Sequence, residues 1–165
     1  AKGIPAWRHP RLVPLMVTTG LAEGLSLFAI FAVFADVEGS MMQALALGLL
    51  ALIGVRYLAW RSYRSDLGAQ GAPAGTFTAL ESGWMNLSSR HQLLPAGLVA
   101  VAVVAGWLLP ALLVAASLLV VASGWIFKYI LITTAAFNQG YAIDRMPARG
   151  AGDSAPGIKP GWVTS

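Results

Sequence analysis

The chain has 165 residues, of which 57% are hydrophobic and 11% charged, with a mean hydropathy of +0.68. Soluble domains carry about 25% charged residues, so this chain lacks the charge to cover a water-facing surface and an integral membrane protein is expected. The absence of cysteine excludes disulfides, thiolate metal sites and iron–sulfur ligation within the chain. The formal net charge of +4 is spread over loops between apolar runs, a topology signal rather than a phosphate-binding stripe, which argues against nucleic acid.

No charged n-region followed by a short apolar run and a cleavage site opens the sequence, so no signal peptide is expected. Four apolar runs follow, over residues 12–35, 40–60, 93–109 and 111–137. A membrane span needs about 20 residues of helix. The expected fold is therefore all-α: an integral membrane four-helix bundle over residues 1–137, with a long cytoplasmic loop and an extended C-terminal tail. Segments three and four meet at Leu109-Pro110, and Pro110 suits a tight turn or the first position of the next helix because it has no N–H to donate.

The long loop covers residues 65–92. Residues 68–75 are rich in Gly, Ala and Pro and read as irregular. Residues 76–89 carry Phe77, Leu80, Trp84 and Leu87 at helical spacing, which predicts a short interfacial helix with Trp84 at headgroup level. The plainer alternative is a loop packed on a partner. The tail, residues 138–165, holds Pro147, Pro156, Pro160 and five glycines, and is expected to lie extended over a protein surface.

Charge sorts by side. Lys2, Arg8 and Arg11 precede the first segment. Arg61, Arg64 and Arg90 occupy the long loop, Arg56 stands just inside the end of segment two, and Arg145, Arg149 and Lys159 lie in the tail. The opposite turns hold Asp36 and Glu38 and no basic residue. The positive-inside rule then places both termini and the long loop in the cytoplasm. A basic loop that docks an acidic partner is the competing explanation.

Two charges fall inside spans. Glu23 lies roughly 18 Å along a helix from Arg11, and Lys128 roughly 14 Å from Phe137 on the same side, at 1.5 Å per residue. An isolated ionised group at mid-bilayer costs at least about 2.5–3.5 kcal/mol, so a Glu23–Lys128 contact is expected inside the bundle. One account is that the pair only fixes how helices one and four pack, with Lys128 snorkelling. The other is a proton relay or the edge of a quinone pocket, since intramembrane ionisable groups are functional candidates. Gly20 and Gly24 form a GxxxG beside Glu23, and Ser123 and Gly124 precede Lys128, a pattern that lets helices approach closely.

His9 and His91 are the two histidines. Both fall near segment ends, which disfavours a bis-His haem, and His9 is a candidate for handling protons at a pocket mouth. Trp7, Trp60, Trp107 and Tyr63 near segment ends read as an aromatic belt. No metal site is expected.

Residues 3–27, GIPAWRHPRLVPLMVTTGLAEGLSL, residues 125–150, WIFKYILITTAAFNQGYAIDRMPARG, and residues 157–162, GIKPGW, resemble the second half of the DMSO reductase anchor-subunit family. That family belongs with the wider polysulfide reductase (NrfD-like) membrane subunits. The resemblance covers both ends of the chain, and the middle only by hydrophobicity. It implies a membrane anchor in the bacterial cytoplasmic membrane, tethering an iron–sulfur subunit and a molybdopterin catalytic subunit. Such an anchor exchanges electrons with the quinone pool and carries no haem; the molybdopterin and iron–sulfur clusters belong to partner chains. Family members carry more spans than the four expected here. Glu23, Lys128, Arg8 and His9 are therefore quinone or proton candidates from the physics of buried charge, not residues carried over from the family. Arg145, Arg149, Lys159 and Trp162 of the tail are candidates for docking the iron–sulfur subunit.

A different class of function is half of a transporter or ion-translocating subunit using Glu23 and Lys128, since many transporters are built from paired repeats. A third is a structural membrane adaptor. The substrate of any catalytic partner and the direction of electron flow do not follow from this chain.

Overall fold

Long apolar runs with few charges fold as helices because lipid offers the backbone no hydrogen-bond partner. The computed structural model describes residues 4–72, 74–82, 87 and 89–135, and for 89–91 the backbone only. Among the described residues there are six helices and no strand: α1 (Pro5–Arg8), α2 (Leu12–Phe34), α3 (Gly39–Ala69), α4 (Ala74–Glu81), α5 (Ser89–Ala105) and α6 (Leu109–Thr133). The docking candidates Arg145, Arg149, Lys159 and Trp162, and the interfacial Trp84, lie outside the described residues.

Helices α2, α3 and α6 are long and apolar enough to cross a membrane, which marks a membrane protein. The expected third span, 93–109, differs. Its helix α5 runs 17 residues, about 25 Å, and stops at Ala105. Gly106 there takes a φ of +56°, a left-handed turn that glycine enters without penalty. The connection to α6 therefore lies at residues 106–108 and not at Leu109-Pro110, and Pro110 sits in the first turn of α6 as expected. Helix α3 outruns its expected end by nine residues, to Ala69 rather than residue 60. Apolarity fails after Trp60, but Arg61, Arg64 and Ala69 keep good helix propensity, and the ion pairs Arg11–Asp66 and Arg64–Glu81 tie this extension down. Both pairs are largely exposed, so each adds at most about 1 kcal/mol. Part of the stretch expected to be helical, 76–89, is helical in α4, with Leu80 buried and Phe77 half-buried.

Helix α2 packs on α3 and α6, and α5 packs on α3 and α6. On α2 the pattern of sizes is inverted relative to a soluble protein. Helix α2 buries Leu15, Thr19, Ala22, Glu23, Ser26, Ala29 and Ala32 and exposes Val17, Leu21, Phe28, Phe31 and Phe34. Small residues inside let helices approach, and large apolar residues outside suit lipid. Gly48 of α3 marks one close approach, with Leu25 Cδ2 3.3 Å from where a Cβ would stand. The GxxxG of Gly20 and Gly24 does not: both are exposed, with open space where a side chain would go. The glycine used in packing is Gly124.

The buried apolar side chains form two clusters. One holds Ala22, Ala29, Leu49, Ile53, Val99, Leu113 and Val120 among others. The second, nearer α1 and α4, holds Leu15, Trp60, Tyr63, Leu80, Leu87, Phe127 and Leu131. Trp60 and Tyr63 are thus core residues, not members of an aromatic belt. Trp60 meets Phe127 edge-on at 5.9 Å and stands 6.1 Å from Tyr63, and Tyr63 Oη donates to the Ala6 carbonyl at 2.9 Å. Trp7 Nε1 donates to the Leu131 carbonyl at 2.8 Å, which clips α1 to the end of α6. Trp107, at the α5–α6 turn, is exposed.

Candidate functional site

Between the two apolar clusters lies a polar layer, one turn thick, to which four helices contribute. Along α2 the order is Leu15, then Thr19 and Glu23 with Ala22 of the first cluster between them, then Ser26 and Ala29. Along α3 it is Trp60, then Arg56, then Ile53. Along α6 it is Phe127, then Gly124 and Ser123, then Val120. Helix α5 supplies Gln92 from its first turn, between Leu87 and Val99. On α2, α3 and α6 each polar residue follows a buried neighbour at a spacing of three or four, so it stays on the inward face of its helix.

Lys128 Nζ donates to Glu23 Oε2 in an ion pair joining α6 to α2. The expected contact is present. The pair is unequal: the Glu23 side chain is 9% exposed and that of Lys128 30%. Glu23 fits because residue 124 is glycine; a Cβ there would overlap the Glu23 carboxylate and come within 3.0 Å of Thr19 Cγ2.

Arg56 is the residue that sequence reasoning missed. Its place near a span end suggests a topology charge, yet it is fully buried. Its Nε donates to Gln92 Oε1 at 3.2 Å and its Nη1 to the Val120 carbonyl at 3.3 Å. Gln92 Nε2 in turn donates to the Leu87 carbonyl at 2.7 Å, which fixes the amide orientation. Glu23 is near enough to act electrostatically on Arg56. The signal was available, since Arg56 follows the apolar run from Leu45 to Val55 as Lys128 follows its own. The extension of α3 beyond Trp60 is what places Arg56 well inside the helix.

One carboxylate thus stands among two cations, paired with Lys128 and unpaired with Arg56, and the layer carries a formal excess of positive charge. In a low-dielectric interior such an excess attracts anions and any oxygen on which negative charge develops.

Arg8 and His9 do not join this layer. Arg8 is exposed at the end of α1. His9 is buried against Tyr63, ring to ring at 5.5 Å, and its Nδ1 accepts the Arg11 N–H at 3.2 Å. A groove of about 270 Å³ opens between α2 and α3, lined by Arg11, Pro14, Thr18, Val55, Leu58, Ala59 and Ser62. None of the four candidates Glu23, Lys128, Arg8 or His9 lines it. Among the described residues no three His, Asp or Glu side chains cluster as a metal site.

No protein-family model matches the chain, and neither the curated proteins nor the solved structures yield a match.

Proposed function

We propose that this chain is a membrane subunit of a quinone-linked oxidoreductase, anchoring an iron–sulfur subunit and, through it, a molybdopterin catalytic subunit. In this reading α5 serves as a fourth span and the chain sits in the bacterial cytoplasmic membrane. Both termini, α1 and α4 then face the cytoplasm, because the basic residues gather at that end.

The observation that carries the proposal is the buried Glu23–Lys128 pair with Arg56 beside it, in helices whose outer faces suit lipid. The terminal motifs supply the choice of complex. A quinone accepts two electrons and two protons to become a quinol, and the electrons would come from the partner's iron–sulfur clusters. The residues present suit a quinone oxygen. Lys128 offers a donor that is partly accessible, Glu23 Oε1 is a buried acceptor with no partner, and the excess positive charge stabilises a quinone oxygen as it gains electrons. Glu23 and Lys128 then pass the protons. In this reading His9, at the α1 end, is the candidate for passing protons, and Arg8 supplies a fixed positive charge next to it in the chain. The tail, with Arg145, Arg149, Lys159 and Trp162, clasps the iron–sulfur subunit.

A second reading is an ion-translocating half-subunit. The feature in its favour is that the polar layer reaches across α2, α3, α5 and α6 and holds more positive than negative charge. Metal analysis of the complex that co-purifies with the chain separates the two. Molybdenum and iron in stoichiometric amounts support the anchor; their absence from an intact, membrane-extracted assembly supports translocation.

A further inference from the structure

The polar layer contains two buried atoms that lack a hydrogen-bond partner and belong to side chains whose other atoms are engaged. Glu23 Oε1 is one and Arg56 Nη2 the other. Glu23 Oε2 is held by Lys128, Arg56 Nε by Gln92 and Arg56 Nη1 by Val120. The two side chains reach the same turn of α6. Glu23 packs where a side chain of residue 124 would stand, and the Val120 carbonyl that receives Arg56 is the one residue 124 bonds within its own helix. Both residues are more than nine-tenths buried, yet among the described residues no ion pair joins them.

The chemistry at that place is restrictive. A group bonding both atoms must accept from a guanidinium N–H and donate to a carboxylate oxygen. An anion without a proton has nothing to donate to Glu23 Oε1. A metal or ammonium ion is repelled by Arg56 and Lys128. A bare carbonyl satisfies Arg56 and leaves Glu23 unsatisfied. A hydroxyl meets both demands.

We infer that Glu23 Oε1, Arg56 Nη2 and the side-chain-free face of Gly124 frame a seat for one hydroxyl group, which donates to the carboxylate and accepts from the guanidinium. The hydroxyl is that of a water molecule or of a phenolic ligand such as a quinol. The seat completes a line of hydrogen bonds from Lys128 through Glu23, the hydroxyl, Arg56 and Gln92 to the Leu87 carbonyl. That line joins α2, α3, α5 and α6 in one layer. Ser26 Oγ, one turn on from Glu23, and Ser117 Oγ, one turn before Val120, are also buried without partners and extend the polar lining along the same helix faces. A quinol source rests on the function proposed above; the seat itself does not.

The test is high-resolution electron cryo-microscopy of the full chain with its natural subunits in lipid nanodiscs, with and without added quinol. The expected result is density within about 3 Å of both atoms. An isolated peak present without quinol identifies water. Density continuous with a ring, present only with quinol, identifies the phenolic source and also supports the proposed function. Direct contact between Arg56 and Glu23, or apolar side chains filling the gap, overturns the seat. Infrared difference spectra give a second readout. A hydroxyl band shifted in H2(18)O, or only by labelled quinol, is expected; no band shifted by either overturns the inference. Gly124→Ala is expected to abolish the band while Gly20→Ala retains it. Should Gly124→Ala fail to assemble, Arg56→Lys, which lacks the Nη2 donor, is expected to shift or remove the band, and an unchanged band overturns the assignment.

Discussion

Arg56 of α3 donates to the backbone carbonyl of Val120 on α6, a residue 64 positions away, from inside a fully buried layer. A guanidinium cannot shed its charge at any accessible pH, so this helix pair is held by a permanent cation. Its planar fork engages two acceptors at once, which an ammonium on a flexible stem does not reproduce. Arg56→Lys is therefore expected to lower stability by about 1–3 kcal/mol, since Gln92 Oε1 and one lone pair of Val120 lose a donor. Thermal unfolding in a fixed detergent checks this; an unchanged midpoint contradicts it.

Removing one member of the Glu23–Lys128 pair differs from removing both. Lys128→Met leaves a buried carboxylate with only Arg56 near it. Breaking a buried pair from one side costs about 3–5 kcal/mol, and the partial exposure of Lys128 places the expected loss at the lower end of that range. The double variant Glu23→Gln with Lys128→Met is expected to recover at least half of the loss. Equal destabilisation by the single and double variants, measured by the same melts, is the contrary result.

Two glycines beside the same carboxylate should respond in opposite ways. At Gly124 an added methyl meets the Glu23 carboxylate and Thr19, and overpacking of this kind costs about 1–3 kcal/mol. At Gly20 the space is open, and alanine gains up to about 1 kcal/mol of helix propensity. Comparing the melting points of Gly124→Ala and Gly20→Ala against the parent chain decides whether packing runs through Gly124 or through the GxxxG.

Much of this was legible in the sequence. Spans two and four, and the span that became α2, follow from apolar length alone, and the meeting of Glu23 and Lys128 follows from depth arithmetic and the expense of burying charge. Three things were not. The end of α5 depends on the left-handed turn at Gly106, which a hydropathy run continuing through Leu109 conceals. The inward placement of Trp60 and Tyr63 depends on α3 remaining helical past its apolar stretch, so that residues near a nominal span end face a second core. The depth of Arg56 depends on the same extension of α3, although the apolar run before it points inward. A charge at a span boundary and a charge inside a core look alike until the helix is known to continue.

The clip between Trp7 and Leu131 gives a prediction for the end of the bundle near α1. Trp7→Phe keeps the ring and removes the indole N–H donor, at an expected cost of about 0.5–1.5 kcal/mol. Amide exchange over residues 5–12 should accelerate while that of α3 stays unchanged. Equal protection of α1 in parent and variant rules out the clip.

In the proposed function Glu23, paired with Lys128 inside the bundle, handles protons for a quinone. The most direct measurement is quinol-linked turnover by the membrane complex carrying Glu23→Gln, normalised to the amount of assembled complex. A positioned proton donor or acceptor contributes at least about 100-fold, so turnover is expected to fall by about that factor with the subunits still assembled. Wild-type turnover in a fully assembled Glu23→Gln complex would contradict the account.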